Sequence, residues 1–317
     1  MDILYKVNEL IESQLTNWDL AAINFKGLNL VKTRSLILSG GSEVKIQFNP
    51  ERIRSSAAKV DARSIQERPC FLCEQNRPEQ QRGVDFEDYT ILVNPFPIFN
   101  KHLTIPHKKH TLQLIQPYFK SMLDLAYELP EYTLFYNGPK CGASAPDHFH
   151  FQAGNKGFMP IEEDFKSGRF AKLSGLSNDV AIYTWKNYNR GVITLMSSES
   201  AAIVSLFNEL YDLLVQSQKD EVEPMLNVLS YFEEGEYVVH VFPRILHRPA
   251  SYFKEGTEQI LISPASVDMG GVFITPRQED YEKLTANDVE EILNQVCLDS
   301  QKCEELIQTL IEKSIQK

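Results

Sequence analysis

The residue types with the clearest potential for chemistry lie in the segment DHFHFQ, residues 147–152. Its alternation predicts a β-strand, on which successive side chains point to opposite faces, so that His148, His150 and Gln152 share one face. The two phenylalanines between them then face the core. A neutral imidazole, with an unperturbed pKa of about 6.5, is a competent nucleophile toward phosphorus. The segment therefore predicts reactive side chains held on a rigid strand.

A loop of small residues precedes that strand. The segment NGPKCGAS, residues 137–144, allows backbone N–H groups to approach a phosphate closely, and Ser144 adds a hydroxyl. Two histidines at alternate positions can also be ordinary polar residues at a sheet edge, and the spacing alone favours that structural role. The loop and the sequence elsewhere shift the balance toward catalysis.

The five cysteines include one close pair, Cys70 and Cys73, with C-x-x-C spacing. Because no secretory signal precedes it, the pair indicates metal binding or redox chemistry rather than a structural disulfide. A tetrahedral zinc site would need two further ligands. Two buried or redox-active thiols remain the alternative, since a single C-x-x-C is a weak signal.

Length and composition exclude several classes of protein. The 317 residues suffice for one large domain or two ordinary ones, and 43% hydrophobic and 24% charged residues are typical of a soluble globular protein. A net charge of -11 disfavours a nucleic-acid partner, because an acidic surface repels the phosphate backbone. With neither a signal peptide nor an apolar run of roughly 18 residues, we predict a cytoplasmic protein without a membrane partner.

The elements that must position these residues form two series of strands and helices. For the first series we predict a helix over 1–18, a hairpin over 35–48 turning at Gly40-Gly41, strands over 88–99 and 101–106, a helix over 110–129, and strands over 131–138 and 147–154. For the second we predict strands from 180 onward, a helix over 199–217, a hairpin turning at Glu234-Gly235, strands over EQILISPAS and GGVFITPR, and helical sequence over 286–316. This order predicts an α+β fold of two related halves, with a boundary within 154–180.

Several of these segments resemble one family. NGPKCGASAPDHFHFQAG resembles the active-site segment of the histidine-triad superfamily, especially its long branch of galactose-1-phosphate uridylyltransferase, diadenosine tetraphosphate phosphorylase and GDP-L-galactose phosphorylase. NPFPIFNKHLTIPHKKHTLQL is similar to the preceding strand-turn-helix of that branch, and RPCFLC to the metal-binding C-x-x-C of the uridylyltransferase. QFNPERIRSSAAKVD and GGVFITPRQEDYEKL are more similar to the GDP-sugar phosphorylases.

The resemblance implies a role for each candidate residue. His150 matches the nucleophile, and Gln152 replaces a third histidine of the hydrolase branches, which favours transfer or phosphorolysis over hydrolysis. The implied substrate-binding residues are Asn94, Asn137, Gly142, Ala143 and Ser144. The implied zinc ligands are Cys70, Cys73, His110 and His148, with His107 as the alternative to His110. Asp147 departs from the uridylyltransferase pattern and argues against uridylyl specificity.

Together these features predict two histidine-triad-like halves, each a mainly antiparallel sheet with packed helices. Residues 1–165 would be the catalytic half and 166–317 a pocket wall and scaffold, from which His240, Arg244, His247 and Arg248 could reach the pocket. The predicted function is a nucleotidyltransferase or phosphorylase acting on a nucleoside diphosphate-sugar or dinucleoside polyphosphate, with phosphate or a sugar phosphate as acceptor. We expect structural zinc, no organic cofactor and a possible homodimer. A hydrolase of the same superfamily and a non-catalytic nucleotide- or zinc-binding protein are the alternatives.

Overall fold

One antiparallel sheet of ten strands dominates the computed structural model, which describes residues 2–52 and 62–315. Residues 53–61, inside the segment similar to GDP-sugar phosphorylases, lie outside the described residues. The strands are β1 (Lys32–Ile37), β2 (Glu43–Phe48), β3 (Gly83–Phe86), β4 (Tyr89–Val93), β5 (His102–Pro106), β6 (Tyr132–Asn137), β7 (His150–Asn155), β8 (Ala171–Ser177), β9 (Val180–Trp185), β10 (Ile193–Ser197), β11 (Leu226–Glu233), β12 (Glu236–Pro243) and β13 (Val272–Thr275).

The strand order of the large sheet repeats. It runs β3-β4-β5-β7-β6-β11-β12-β10-β9-β8, so each half has its first three strands in sequence, then its fifth, then its fourth. The two halves meet where β6 pairs with β11 in antiparallel register. This arrangement confirms the predicted α+β fold of two similar halves. The domain boundary near residue 165 stays a prediction.

Helices cover both faces of this sheet. They are α1 (Ile3–Asn17), α2 (Asp19–Gly27), α3 (Ala62–Glu67), α4 (Phe119–Glu128), α5 (Pro160–Lys166), α6 (Ser200–Ser217), α7 (Ser266–Met269), α8 (Gln278–Lys283), α9 (Ala286–Val296) and α10 (Ser300–Ile315). In each half a helix follows the third strand, α4 after β5 and α6 after β10. Phe119 of α4 stacks on Phe207 of α6 with ring centroids 3.6 Å apart. The two equivalent helices therefore share one apolar core with the sheet.

Both predicted hairpins form. β1 and β2 pair in antiparallel register across Gly40-Gly41, and Gly41 adopts a φ of +86°. Glu234 and Gly235 join β11 to β12 with φ values of +53° and +87°, as a two-residue turn of positive φ requires. β13 then pairs in parallel with β2, which brings residues 272–275 onto the first half.

Two predicted elements differ from the structure. The segment EQILISPAS buries Ile260 and Ile262, but it is not a strand, because its backbone bonds to Ser251 and to the Asp280 carboxylate rather than to a neighbouring strand. The helix predicted from residue 110 begins only at Phe119. In the described part of the chain, no helix is both long and apolar enough to cross a membrane.

Candidate active site

A cleft of about 600 Å³ lies between the two halves. All seven predicted catalytic and substrate-binding residues line it: Asn94, Asn137, Gly142, Ala143, Ser144, His150 and Gln152. Its wall also includes the first-half residues Trp18, Arg52, Arg68, Phe71 and Thr104 and the second-half residues His247, Arg248, Ser263, Ala265, Val267 and Asp268. The cleft combines apolar and aromatic walls with several cationic side chains, a composition suited to a nucleotide.

The His150 ring is held in one orientation at this cleft. Its Nδ1 lies 2.8 Å from the carbonyl oxygen of His148, which can only accept, so Nδ1 carries the proton. Nε2 is then unprotonated, and no residue in the described ranges hydrogen-bonds to it. The residue is only 3% exposed, and this burial lowers the pKa of His150 to about 4. The imidazole is therefore neutral at pH 7, with a free lone pair.

Gln152 lies next to His150 on β7, and His102 fixes its amide. The amide N–H of Ile98 donates to His102 Nδ1, so the ring proton is on Nε2, 3.1 Å from Gln152 Oε1. Asn94 Nδ2 also approaches Gln152 Oε1, at 3.4 Å. With Oε1 occupied, the amide NH2 group of Gln152 is left to donate to a ligand. Burial lowers the pKa of His102 to about 3, so its ring stays neutral.

The small-residue loop is tied to the second half. Asn137 Oδ1 accepts hydrogen bonds from the Asn227 amide at 3.0 Å and from the backbone N–H of Ser266 at 2.8 Å. Gly142 has a φ of +95°, and a Cβ there would lie 2.5 Å from the Cβ of Ala265. A glycine is thus required by both backbone conformation and close approach. The binding roles predicted for Asn137 and Gly142 stay predictions.

Arginine side chains supply the positive charge of the cleft. Arg52 donates to the carbonyl oxygen of Phe96 at 2.8 Å, and Arg68 pairs with Asp147 at 2.9 Å. Arg68 Nη1 is buried and lacks a hydrogen-bond partner among residues 2–52 and 62–315. Arg248 donates to Ser263 at 3.0 Å. An orphaned guanidinium N–H at a cleft is a donor suited to phosphate.

The four predicted metal ligands converge. One ligand atom from each of Cys70, Cys73, His110 and His148 lies within 4.8 Å of the others. The distance from Cys70 Sγ to His148 Nδ1 is 3.3 Å, and from Cys73 Sγ to His110 Nδ1 it is 3.2 Å. Tetrahedral Zn–S and Zn–N bonds of about 2.3 and 2.05 Å give a sulfur–nitrogen separation of about 3.6 Å. The donor set therefore fits a tetrahedral metal ion.

Outer hydrogen bonds also match a metal site. His148 Nε2 lies 2.7 Å from the carbonyl oxygen of His107, which would leave Nδ1 free for a metal, and His110 Nε2 lies 3.7 Å from Asp147. Burial and the neighbouring Cys70 raise the pKa of Cys73 to about 11. Both a redox nucleophile and a metal ligand must be thiolates, so this pKa shift favours neither role. The outer hydrogen bond of His148 and the carboxylate beside His110 are the observations that favour a metal site.

His148 does not line the cleft with His150 and Gln152, because β7 begins only at His150. His148, two residues before the strand begins, turns its ring toward Cys70, whereas Phe149 and Phe151 are buried in the core as predicted. The two histidines therefore lie in two neighbouring places, His150 at the cleft and His148 in the cluster with Cys70 and Cys73. The carbonyl oxygen of His107 accepts a hydrogen bond from His148 Nε2, and the His107 ring is not part of the cluster of Cys70, Cys73, His110 and His148.

Comparison with known proteins gives matches along almost the whole chain. Residues 10–155 match a family described as a domain of unknown function (DUF4922), and residues 165–316 match "GDPGP1-like, C-terminal domain". No curated protein matches with significant sequence similarity. Yeast Ap4A phosphorylase in complex with AMP is 17% identical, with 90% of this chain and 95% of that chain covered and a TM-score of 0.60.

The same yeast enzyme in complex with Ap4A is 14% identical, with 89% and 97% of the two chains covered and a TM-score of 0.56. A GalT-like protein from Arabidopsis thaliana is 13% identical, with 84% and 99% covered and a TM-score of 0.37. The chain therefore has the same fold as the yeast Ap4A phosphorylase structures. Its C-terminal part, residues 165–316, is similar to the GDPGP1-like family.

The second half of the fold has no counterpart of His150. In the first half, Thr104 of β5 lies opposite Gln152 of β7 and accepts a hydrogen bond from Asn94. In the second half, Thr194 of β10 lies opposite His240 of β12 and accepts a hydrogen bond from Trp185. This matching pattern aligns Gln152 with His240, and therefore aligns His150 with Val238. In the second half, the aromatic rings of Trp185, Phe165 and Tyr231 pack around His240. His240 accordingly does not reach the cleft.

Sequence patterns indicated some residues of this cleft and missed others. His247 and Arg248 line the cleft as expected, and burial with nearby positive charge lowers the pKa of His247 to about 4. Arg244 does not line it and is instead fully buried among carbonyl oxygens. Arg52 and Arg68 also line the cleft, but apart from their charge no sequence feature identified them as site residues. His102 positions Gln152 through a contact between neighbouring strands, which no local sequence pattern indicates.

Proposed function

We propose that the chain is a nucleotidyltransferase or phosphorylase that forms a covalent nucleotidyl adduct on His150. The supporting observation is the hydrogen bond from Nδ1 to the His148 carbonyl oxygen, which leaves Nε2 as a free lone pair at the cleft. The substrate would be a nucleoside diphosphate-sugar or a dinucleoside polyphosphate. Yeast Ap4A phosphorylase, which has this fold, binds AMP and Ap4A, and this agrees with a nucleotide substrate.

The reaction would proceed by two displacements. The lone pair of His150 Nε2 forms a P–N bond to the α-phosphorus, and the P–O bond to the leaving group breaks with its electrons on that oxygen. An oxygen of inorganic phosphate or a sugar phosphate then attacks the adduct. The P–N bond breaks, and Nε2 recovers its lone pair. Because Nε2 is already unprotonated, the first step needs no general base.

Donors around the cleft would stabilise the charge on the transferring phosphoryl group. The candidates are the amide NH2 of Gln152, the unpartnered Nη1 of Arg68 and the backbone N–H groups near Ser144. Gln152 has no titrating proton and cannot deprotonate water. We therefore favour transfer or phosphorolysis over hydrolysis at this position.

Zinc is the metal we propose for the site formed by Cys70, Cys73, His110 and His148. Its role would be structural, because all four positions of a tetrahedral ion would be filled by protein ligands. By fixing His148, it would hold the residue whose carbonyl group orients the nucleophile. We further propose residues 1–165 as the catalytic half and 166–317 as scaffold and pocket wall.

Intact-mass measurement tests this proposal. Purified protein is incubated with ATP, Ap4A, UDP-glucose or GDP-glucose without an acceptor, and we expect one of them to add the mass of one nucleotidyl group. His150→Ala should gain no mass, whereas His240→Gln, a change of a buried histidine in the second half, should still be labelled. Adding phosphate should discharge the adduct faster than water alone. A His150→Ala protein that turns over substrate would end the proposal.

A further inference from the structure

The side chain of Gln113 stands between β6 and β7, beside the proposed nucleophile. It is fully buried in the segment between β5 and α4. Its Oε1 accepts the backbone N–H of His150 at 2.8 Å. Its Nε2 donates to the carbonyl oxygens of His150 at 3.0 Å and Asn137 at 3.1 Å. Exchanging the amide oxygen and nitrogen would break all three hydrogen bonds, so the network fixes the orientation of the side chain.

These contacts replace a missing part of the sheet. The ladder between β6 and β7 runs from Tyr132–Asn155 to Phe135–Gln152 and then stops. Continuing its register would place Asn137 opposite His150. The carboxamide of Gln113 occupies that gap and bonds to both strands, so the backbone groups of His150 remain satisfied although the strands have separated.

In the second half, the two strands remain paired at the equivalent position. By the alignment of His150 with Val238, the equivalent pair is Tyr231 and Val238, and these two residues pair normally in the ladder between β11 and β12. The sheet is therefore opened in the half that carries the nucleophile and unbroken in the half that lacks it. The fold itself therefore does not require a side chain between these strands, and the position of Gln113 is associated with His150.

We propose that Gln113 is a positioning residue that holds the sheet open at His150 and fixes the nucleophile's backbone; this rests on the function proposed for His150. Gln113 hydrogen-bonds to both the backbone N–H and the backbone C=O of His150, so it fixes the backbone that carries the imidazole ring. The ring itself is oriented by the carbonyl oxygen of His148. Without the carboxamide, the strands can close or the backbone can shift. A displacement of about 1 Å at a reacting group can cost about 10²-fold in rate.

Gln113→Leu removes all three hydrogen bonds at nearly constant volume. With the nucleotide that labels the wild type, we expect its single-turnover rate of adduct formation to fall about 10²-fold, with the nucleotide Kd changed by less than about threefold. Thr194→Val is the matched control, because it removes buried hydrogen bonds to Trp185 and His240 in the second half. Its rate should stay within about threefold of the wild type.

Gln113→Glu provides a second variant, should the first not fold. Its carboxylate would keep the contact with the His150 N–H but would face two carbonyl oxygens, and protonation would restore one donor. Its labelling rate should therefore rise as the pH falls from 8 to 5, whereas the rates of wild type and Thr194→Val should not. Loss of packing alone would not produce such a pH profile.

A measurement without nucleotide separates the two proposals. Hydrogen exchange of the His150 backbone N–H should be at least about tenfold faster in Gln113→Leu than in Thr194→Val. If no nucleotide labels the wild type, the proposed function fails, and this exchange rate alone decides the role of Gln113. Wild-type exchange in Gln113→Leu, or a wild-type labelling rate in either Gln113 variant, would overturn the positioning role.

Discussion

Replacing Arg244 should destabilise the protein severely although this side chain does not line the cleft. Its guanidinium donates to the carbonyl oxygens of Val296 at 3.0 Å and Pro264 at 3.1 Å, and to Asn227 Oδ1 at 2.6 Å. It also donates to the carbonyl oxygens of Leu246 at 3.0 Å and His247 at 3.2 Å. One buried group thus satisfies five acceptors that belong to four separate segments.

Arg244→Met removes a donor from all five acceptors at similar side-chain volume, although the carbonyl oxygen of Val296 keeps a hydrogen bond from the backbone N–H of Ile245 at 2.9 Å. Each buried unsatisfied acceptor costs about 1–3 kcal/mol, and partial access of water reduces the sum, so we expect the free energy of unfolding to fall by about 3–5 kcal/mol. That loss is a large part of the roughly 5–15 kcal/mol that stabilises a typical protein. Arg244→Lys should recover only part of it, because an ammonium has three donors and lacks the planar fork.

Urea denaturation followed by circular dichroism measures this change. Arg248→Met is the matched control, since Arg248 is partly exposed and, within the described residues, has a hydrogen bond to Ser263 and a cation–π contact with Tyr252. We expect it to lose about 1 kcal/mol or less while weakening nucleotide binding. An Arg244→Met protein within about 1 kcal/mol of the wild type would refute the reasoning, because it would mean that the other four acceptors find new donors.

Further outcomes follow from the site. Elemental analysis should find one zinc per chain, and both chelation and Cys70→Ser should lower the melting temperature; a wild-type chain equally stable without metal would contradict the proposed role. Because the pKa of His150 is lowered to about 4, its neutral form predominates above pH 5. The rate of adduct formation should therefore be constant from pH 5.5 to 8 and fall only in more acidic buffer. A change in this rate near pH 6.5 would contradict the expectation. Gly142→Ala should slow labelling, because the added Cβ would lie 2.5 Å from the Cβ of Ala265. Gly157→Ala is the control, because Gly157 has a comparable φ of +81° but no atom within 4 Å of an added Cβ. Equal labelling rates for the two variants would argue against the clash.

The sequence predicted those features whose cause is local. Gly40-Gly41 and Glu234-Gly235 were recognisable as turns because their conformations follow from residue type. The alternation around His150 predicted a strand with two buried phenylalanines, and the four metal ligands followed from a family resemblance. The separation of His148 from the cleft was not predictable, because the strand begins three residues later than its pattern suggests.

What sequence analysis missed depends on partners distant along the chain. Gln113 bonds to a residue 37 positions away and Arg244 to one 52 positions away. Neither residue belongs to a motif, and their roles emerge only when strands from both halves are brought together. The segment EQILISPAS has the composition of a strand, yet its polar backbone groups bond to side chains and loops instead.

The continuous sheet has a consequence for how the protein can be divided. Because β6 and β11 are hydrogen-bonded neighbours at its centre, separating the halves would leave two buried strand edges without the partner that each now pairs with over four residues. Such edges are templates for aggregation. Truncated chains ending near residue 165 are therefore expected to form insoluble material, and the two parts of the protein must complete their folding together, as one cooperative unit.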